Sequence, residues 1–472
     1  MAKKSNLTKL DQKNEILSQH QGSVRKLIDA IVDPQSFVET DAFFGKSDVE
    51  DAKGEGVVTG FAYIGDKPVC IAAQNATVLG GALGKAHADK ILRAIRRAVD
   101  NGFDFVSLID SAGAKIDDGL DALDGYAEIL AEMSVLRCSA THFAVVTGNA
   151  VGLMGVFAAS SDFLFLNETA ALAATSPYVV AAKAGLEKPA CELLGDEAHA
   201  ANGKAVEFGY SDLSEVREAI LSINAFISDE PVDTDDDPNR IEPALNDNLS
   251  ADALLEAVAD DRYYLELFGR FAPQTVTALA SVNGIPVAVI VDNADENHPK
   301  LNGQSMRKIK NFVRIADQYG LPLVHFVDCE GLDACLKCEQ KGLAVKAAKL
   351  VDALAQYSAP HIAVVSGAAT GFGYTAFCSK ALGVDYVFAF PEATVGILPA
   401  RTAVAAFMKE EMLASALDPE QARATLEASY QKHAANPFEA AKSGKIDNII
   451  EPAHIRPHLA SILKLASEGG AL

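Results

Sequence analysis

Two short stretches could do chemistry with the main chain alone. Val151-Gly152-Leu153-Met154-Gly155 and Thr370-Gly371-Phe372-Gly373-Tyr374 each follow an apolar run that reads as a buried strand, and each leads into a helical pattern. A turn from strand into helix leaves the first N–H groups of the helix without intrahelical partners, and such groups bind an anion or a developing oxyanion. Glycine permits the turn and a close ligand approach, although the same residues would suit tight strand–helix packing. Two turns at equivalent places favour the first reading, because a reaction that develops two oxyanions needs two holes.

Two further segments read as ligand loops. Gly80-Gly81-Ala82-Leu83-Gly84-Lys85 opens an amphipathic helix on which Ile91, Leu92, Ile95 and Val99 share one face. Lys90, Arg93 and Arg97 lie at i, i+3 and i+7 on the opposite face, which predicts a seat for phosphates beside the glycine-rich helix start. In a chain with 64 acids, 41 bases and a formal net charge of −23, a local basic cluster stands out. Asp110-Ser111-Ala112-Gly113-Ala114-Lys115 closes a buried strand, where α/β folds place ligand-contacting loops. Asp110 is equally placed to serve as a helix N-cap.

Other signals carry less. Cys335-Leu336-Lys337-Cys338 has the CxxC spacing, but no second pair lies nearby, so no metal is expected. His87, His142, His325 and His361 are scattered and form no Ser-His-Asp arrangement. The glycine turns match neither the P-loop pattern nor the dinucleotide fingerprint. Met408-Lys409, followed by Glu410-Glu411, is a poor match to a biotin-attachment segment.

The elements that must position these residues occur twice. Pro68-Val69 to Asn75-Ala76 reads like Pro286-Val287 to Asn293-Ala294, an offset of 218 residues that also pairs Lys90 with Lys308, Gly102 with Gly320 and Asp110 with Asp328. One residue further on, Ala144 to Leu153 matches Ala363 to Phe372 with six identities in ten. Each half goes from a β-rich run (Gly56 to Ala73; Thr275 to Val291) to an amphipathic helix, a buried strand ending in Asp, a second helix, and an apolar strand ending in the glycine turn. That alternation predicts crossover β/α units. The expected organisation is an N-terminal domain 1–227, an acidic linker 228–248 and a C-terminal domain 249–472.

Composition agrees with a folded soluble chain. Of 472 residues, 49% are hydrophobic and 22% charged, which supplies core for more than one domain. The acidic balance argues against nucleic acid or an anionic membrane as partner. Seven unpaired-looking cysteines and a polar Met1 to Asn14 without a signal-like apolar run fit a reducing, cytoplasmic setting. The apolar stretch Phe143 to Phe165 is broken by Gly148, Asn149, Gly152, Gly155, Ser160, Ser161 and Asp162, unlike a membrane span.

From about Val24 to Leu459 the chain resembles the carboxyltransferase subunits of biotin-dependent acyl-CoA carboxylases and decarboxylases. The likeness rests on Ile28 to Glu39, Gly80 to Ile91, Asp110 to Ile116, Gly125-Tyr126, Asp237-Pro238-Asn239, Phe271-Ala272-Pro273, Ile446 to Pro452 and Arg456-Pro457, in order and spacing. It implies two tandem crotonase-like ββα superhelix domains, in a dimer or trimer of dimers. It implies a carboxyl group passed between carboxybiotin on a separate carrier protein and a propionyl- or methylmalonyl-CoA-like thioester. Partners would be the biotin carboxyl carrier protein with biotin carboxylase or a membrane decarboxylase subunit. Gly152 and Leu153 would serve biotin, and Phe372 and Gly373 the thioester, with Gly371 also among the catalytic residues. Gly80, Gly81, Leu83, Gly84 and Lys90 with the loop Ser111, Ala112, Gly113, Ala114 and Lys115 would line CoA. This chain departs from the family pattern at Leu153 and Phe372, where glycine is usual, and at Glu330, Leu332, Ala334 and Val345-Lys346. If those turn positions need a positive φ, the side chains are strained; if only the N–H is used, they are tolerated. The altered turns motivate one alternative, a non-catalytic scaffold subunit of such a complex; a subunit working in the decarboxylase direction is another.

Overall fold

The structure, a computed structural model, describes residues 2–45, 54–188, 190–202, 208–227, 231–292, 301–408 and 418–469. Asn293, Ala294, Ser228, Lys409, Glu410 and Glu411, named above, lie outside the described residues. The chain divides into two compact units, Met1–Ser222 and Ile223–Leu472.

The first unit begins with the helix Ala2–Ile31 and continues into β1 (Val38–Thr40), β2 (Val57–Ile64), β3 (Lys67–Gln74), β4 (Asp104–Ser111), β5 (His142–Val151), β6 (Phe163–Asn167), β7 (Ala171–Ala173) and β8 (Phe208–Tyr210). Its sheet runs β1-β2-β3-β4-β5-β6-β8, with β7 on β5. The β1–β2 and β2–β3 pairs are antiparallel and the rest parallel. In the second unit β9 (Tyr264–Leu267), β10 (Thr275–Val282), β11 (Ile285–Asp292), β12 (Leu323–Cys329), β13 (His361–Thr370), β14 (Tyr386–Ala389), β15 (Thr394–Gly396) and β16 (Asn448–Ile449) repeat that order strand for strand. The register repeats too: Val106 faces Ile71 as Val324 faces Val289. The expected duplication is therefore present in every strand pairing, and both sheets are mixed and rich in parallel pairs.

Parallel strands need long crossovers, and helices of matching length supply them. Lys85–Asn101 and Leu120–Leu136 join β3 to β4 and β4 to β5. Ile91, Leu92 and Ile95 of the first helix and Ile129 and Met133 of the second are buried together against β4 and β5. Gly102, in the left-handed region at φ 65°, ends the first helix and accepts the αL role that favours glycine.

β5 changes partners midway. Phe143 to Val146 pair with β6, whereas Asn149 to Val151 pair with β7. β13 does the same, with Ile362 to Val365 on β14 and Ala368 to Thr370 on β15. The neighbouring strands β4 and β12 carry a matched irregularity at Asp110 and Asp328, between Ile109 and Ser111 and between Val327 and Cys329. This corner turns each sheet toward its glycine turn.

The described acidic segment after 230 is packed into the second unit. The Val232 N–H donates to Gly284 O at 2.8 Å. Arg456, wholly buried, donates to Asp260 Oδ1 at 2.7 Å and to the carbonyls of Val258 and Asp237 at 2.5 and 3.1 Å, with Asp236 Oδ2 at 3.3 Å. Asp260 also accepts the N–H groups of Asn283 and Gly284, each at 2.8 Å. Two residues from the family-like signatures, Asp237 and Arg456, thus meet in a structural ion cluster. Among the described residues no helix is long and apolar enough to cross a membrane. Arg456→Met should destabilise the fold by about 3–5 kcal/mol, since it leaves Asp260 buried without its cation; urea unfolding measures the loss.

Candidate active site

In the first unit, Gly152 sits at φ 67° and ψ −131°, a conformation reserved for glycine, and the helix Leu153–Ala159 starts immediately after it. The Gly152 N–H is already bonded to Ala173 O at 2.8 Å. The first bond inside the helix runs from the Val156 N–H to Gly152 O at 3.3 Å, so the N–H groups of Leu153, Met154 and Gly155 precede the helix's own ladder. The second unit repeats this. Gly371 has φ 53° and ψ −118°, its N–H is bonded to Gly396 O at 3.2 Å, and Thr375 N–H closes the first helical turn on Gly371 O at 3.1 Å.

The N–H groups of Gly152 and Gly371 are therefore taken, which corrects the expectation that Gly152 itself serves biotin and leaves Gly371 to shape the bend. Their N–H groups hold β7 and β15, and their contribution is the backbone conformation. The available donors are the following residues, Leu153 with Met154 and Phe372 with Gly373. Leu153 and Phe372 are not among the residues with positive φ, so their side chains carry no backbone strain.

The Asp loops come to the same place. The Asp110 carboxylate accepts the Asn149 N–H at 3.0 Å, and Asp328 accepts the Ala368 N–H at 2.8 Å. Asp110 lies inside β4 and bonds across to β5, so it is no helix N-cap. Any side chain at Gly148 or Gly367 would strike these carboxylates, at 2.2 and 2.3 Å for a Cβ. Beyond the Asp, Gly113 and Gly331 stand over the glycine turns. A Cβ on Gly331 would lie 3.6 Å from Thr370 O and 4.0 Å from Phe372 N, so glycine keeps the approach to that N–H open.

The predicted segments 80–84 and 111–115 are laced together. Ala112 N–H donates to Gly80 O at 2.9 Å, Ser111 Oγ to Gly81 O at 2.7 Å, Leu83 N–H to Gly113 O at 2.8 Å and Lys115 N–H to Leu83 O at 2.9 Å. In the second unit, Leu301 with Gly331 and Asp333 with Leu301 repeat the last two bonds, at 3.1 and 2.9 Å.

The phosphate seat is not where the helical spacing put it. Lys90 is wholly buried, and its ammonium donates to Val57 O at 2.6 Å. Burial lowers its pKa to about 8, against the pull of Glu39, Asp41 and Glu55. Arg93 and Arg97 both pair with Asp41, at 3.1 and 2.5 Å, and Arg97 also donates to Thr40 Oγ1 at 2.9 Å, so they fasten β1. The helix start at Gly84 is filled by Asp118, which accepts the Lys85 N–H at 2.9 Å and pairs with Lys115 at 2.8 Å. A carboxylate of the chain itself thus takes the favourable dipole end. Asp41 and Asp118 lie 52 and 33 residues from their helix partners, and no local pattern announces them. Gly331 was legible, because the 218-residue offset projects Gly113 onto it.

The surroundings of the second turn are the more acidic. Burial pushes the Asp328 carboxyl up to about 6, against the Ala368 N–H and with help from Asp292 and Glu330. Burial also raises Asp110. A folded pKa above the ordinary 3.8 means that the protonated form is favoured by folding, and that contribution is lost as pH rises through about 6. Asp328→Asn keeps the acceptor and removes the charge. The variant's melting temperature minus that of the parent should therefore increase between pH 4 and pH 7; a flat difference across that range would refute the assignment.

Comparison with known proteins places this geometry in a family. Residues 18–470 match the carboxyl transferase domain. The chain is 30% identical over 468 residues to the methylmalonyl-CoA carboxyltransferase 12S subunit of Propionibacterium freudenreichii subsp. shermanii, covering 95% of this chain and 89% of that one. It is 30% identical over 466 residues to the methylmalonyl-CoA decarboxylase subunit alpha of Veillonella parvula, covering 94% and 89%. It is 29% identical over 460 residues to the propionyl-CoA carboxylase beta chain of Roseobacter denitrificans, covering 93% and 89%. A crystal structure of the transcarboxylase 12S hexamer with methylmalonyl-coenzyme A and methylmalonic acid bound superposes with a TM-score of 0.89 at 28% identity, over 97% of this chain and 94% of the other. The two sheets of this chain are thus the two crotonase-like domains that the sequence predicted, and the chain belongs to the carboxyl transferase domain family.

Proposed function

We propose that this chain is a carboxyltransferase that moves a carboxyl group between biotin on a separate carrier protein and an acyl-CoA of the propionyl and methylmalonyl type. The observation that carries the reading is the matched pair of glycine turns, one per unit, each presenting main-chain N–H groups beside a buried Asp loop. The N–H groups of Leu153 and Met154 would bind the ureido oxygen of biotin, and those of Phe372 and Gly373 the thioester oxygen. Negative charge develops on both oxygens during transfer, so fixed N–H dipoles stabilise the transition state more than the ground state. When bound, biotin would supply both the carboxyl group and the base for the acyl α-proton. The ribbon of Gly80 to Leu83 with Ser111 to Ala114 is the candidate wall for CoA. Lys90 is too deeply buried for that task, and Arg93 and Arg97 are occupied by Asp41.

The scaffold alternative arose from Leu153 and Phe372, and its motive falls away because neither residue is strained. Relatives named for the carboxylase and for the decarboxylase direction are about equally similar, so the chemistry is common to both. The reading goes with a cytoplasmic homo-oligomer, a dimer or trimer of dimers, working with a biotin carrier and either a biotin carboxylase or a membrane decarboxylase subunit.

A transfer assay with free biotin and malonyl-, methylmalonyl- or glutaconyl-CoA tests this directly. Turnover with methylmalonyl-CoA is expected; inactivity with all three, together with tight binding to a catalytic paralogue, would establish the scaffold instead. Proline fits the first position of a helix and lacks the N–H, so Leu153→Pro and Phe372→Pro each delete one donor while the fold is kept. Each should lower kcat about 100- to 1,000-fold, with Leu153→Ala and Phe372→Ala close to the parent.

A further inference from the structure

The ligand loops of the two units begin alike and then diverge. At the position where Lys115 N–H bonds Leu83 O in the first unit, Asp333 N–H bonds Leu301 O in the second, at the same 2.9 Å. Lys115 there forms an ion pair with Asp118 at 2.8 Å. Asp333 has instead two cysteines for company. Its loop runs Asp333-Ala334-Cys335-Leu336-Lys337-Cys338, and one carboxylate oxygen and both sulfurs lie within 4.8 Å of one another.

The Asp333–Cys338 spacing is that of two ligands in one coordination shell. Cys338 Sγ stands 3.5 Å from Asp333 Oδ2. The edge of a tetrahedron built on a Zn–S bond of about 2.3 Å and a Zn–O bond of about 2.0 Å is also about 3.5 Å. The ligands are held before any cation arrives: Cys335 N–H donates to Asp333 O at 2.9 Å and Glu339 N–H to Cys335 O at 3.0 Å. The short helix Leu336–Gln340 then brings Cys338 back to the side of Cys335. All three side chains are half-buried, so a cation can reach them and water can complete the shell. Two thiolates select a soft or borderline cation over magnesium or calcium. The missing second CxxC pair, which argued against a metal in the sequence, is replaced by a single carboxylate two residues upstream.

We propose that Asp333, Cys335 and Cys338 form a three-ligand site for a zinc-class divalent cation, with the fourth position open to water or an exogenous ligand. Bound there, the cation clips the loop whose Gly331 stands over the Phe372 N–H. The site is independent of the carboxyltransferase reading, since it rests on the loop alone.

The test uses the full chain, reduced with a phosphine, stripped with a chelator and titrated anaerobically with Co2+. One cobalt per chain should bind, with thiolate-to-cobalt charge-transfer absorption that Zn2+ abolishes. Cys335→Ser, Cys338→Ser and Asp333→Asn should each weaken binding at least about tenfold, and Cys138→Ser should leave it unchanged. Thermal melts of the metal-free variants check folding, and Asp333→Asn decides the matter should either cysteine variant fail to fold. Absence of the charge-transfer band would overturn the proposal. So would a band that survives in the Cys335→Ser, Cys338→Ser double variant, or a Cys335–Cys338 disulfide in protein that takes up no cobalt after reduction.

Discussion

A strand that changes neighbours halfway along must leave main-chain hydrogen-bonding groups without a ladder partner at the changeover, and buried groups of that kind are costly unless something else bonds them. β5 and β13 both make this change, and in both the debt at the corner is met by an aspartate from the adjacent strand. The Asp110 and Asp328 carboxylates take the N–H groups of Asn149 and Ala368, and glycine at 148 and 367 leaves them the room. The rest of each site depends on that bond. With the corner fixed, the strand can reach Ala173 or Gly396 beyond it, bend through Gly152 or Gly371, and lead into a short helix whose first N–H groups precede its own ladder.

Using the main chain as the stabilising group divides labour between neighbouring residues. The glycine gives the bend and spends its own N–H on the sheet, while the next residue donates. Only the first of these tasks constrains residue type. Leucine and phenylalanine can therefore follow the bend, since neither needs a positive φ there. The electrostatic settings of the two turns nevertheless differ. The first has Gln74 at the end of its hairpin strand, and the second has Asp292 at the matched position, beside Asp328. One duplicated scaffold thus gives its two turns surroundings of unequal polarity.

The architecture was legible because duplication writes the same pattern twice. An offset of 218 residues predicted matched strands, matched Asp loops and matched turns, and every strand pairing follows it. The turns were legible from glycine placement, but the assignment of donors was not, since only the fold shows Ala173 and Gly396 occupying the glycine N–H groups. The basic face failed for a related reason. Helical periodicity says which side of a helix Lys90, Arg93 and Arg97 share, and says nothing about what packs there. The edge strand β1 and its neighbour Asp41, far away in sequence, turned an apparent anion seat into a set of structural ties. The cysteine pair has a neighbour that its spacing does not announce, since Asp333 joins it through a loop conformation.

The buried Arg456 has a consequence for the order of events during synthesis. Its partners Asp236, Asp237, Val258 and Asp260 open the second unit, while Arg456 itself lies close to its end. On a ribosome adding about 5–20 residues per second, the first unit can close its sheet while the second is still emerging. Asp260 can meet its buried cation only once Arg456, 196 residues further on, has been made.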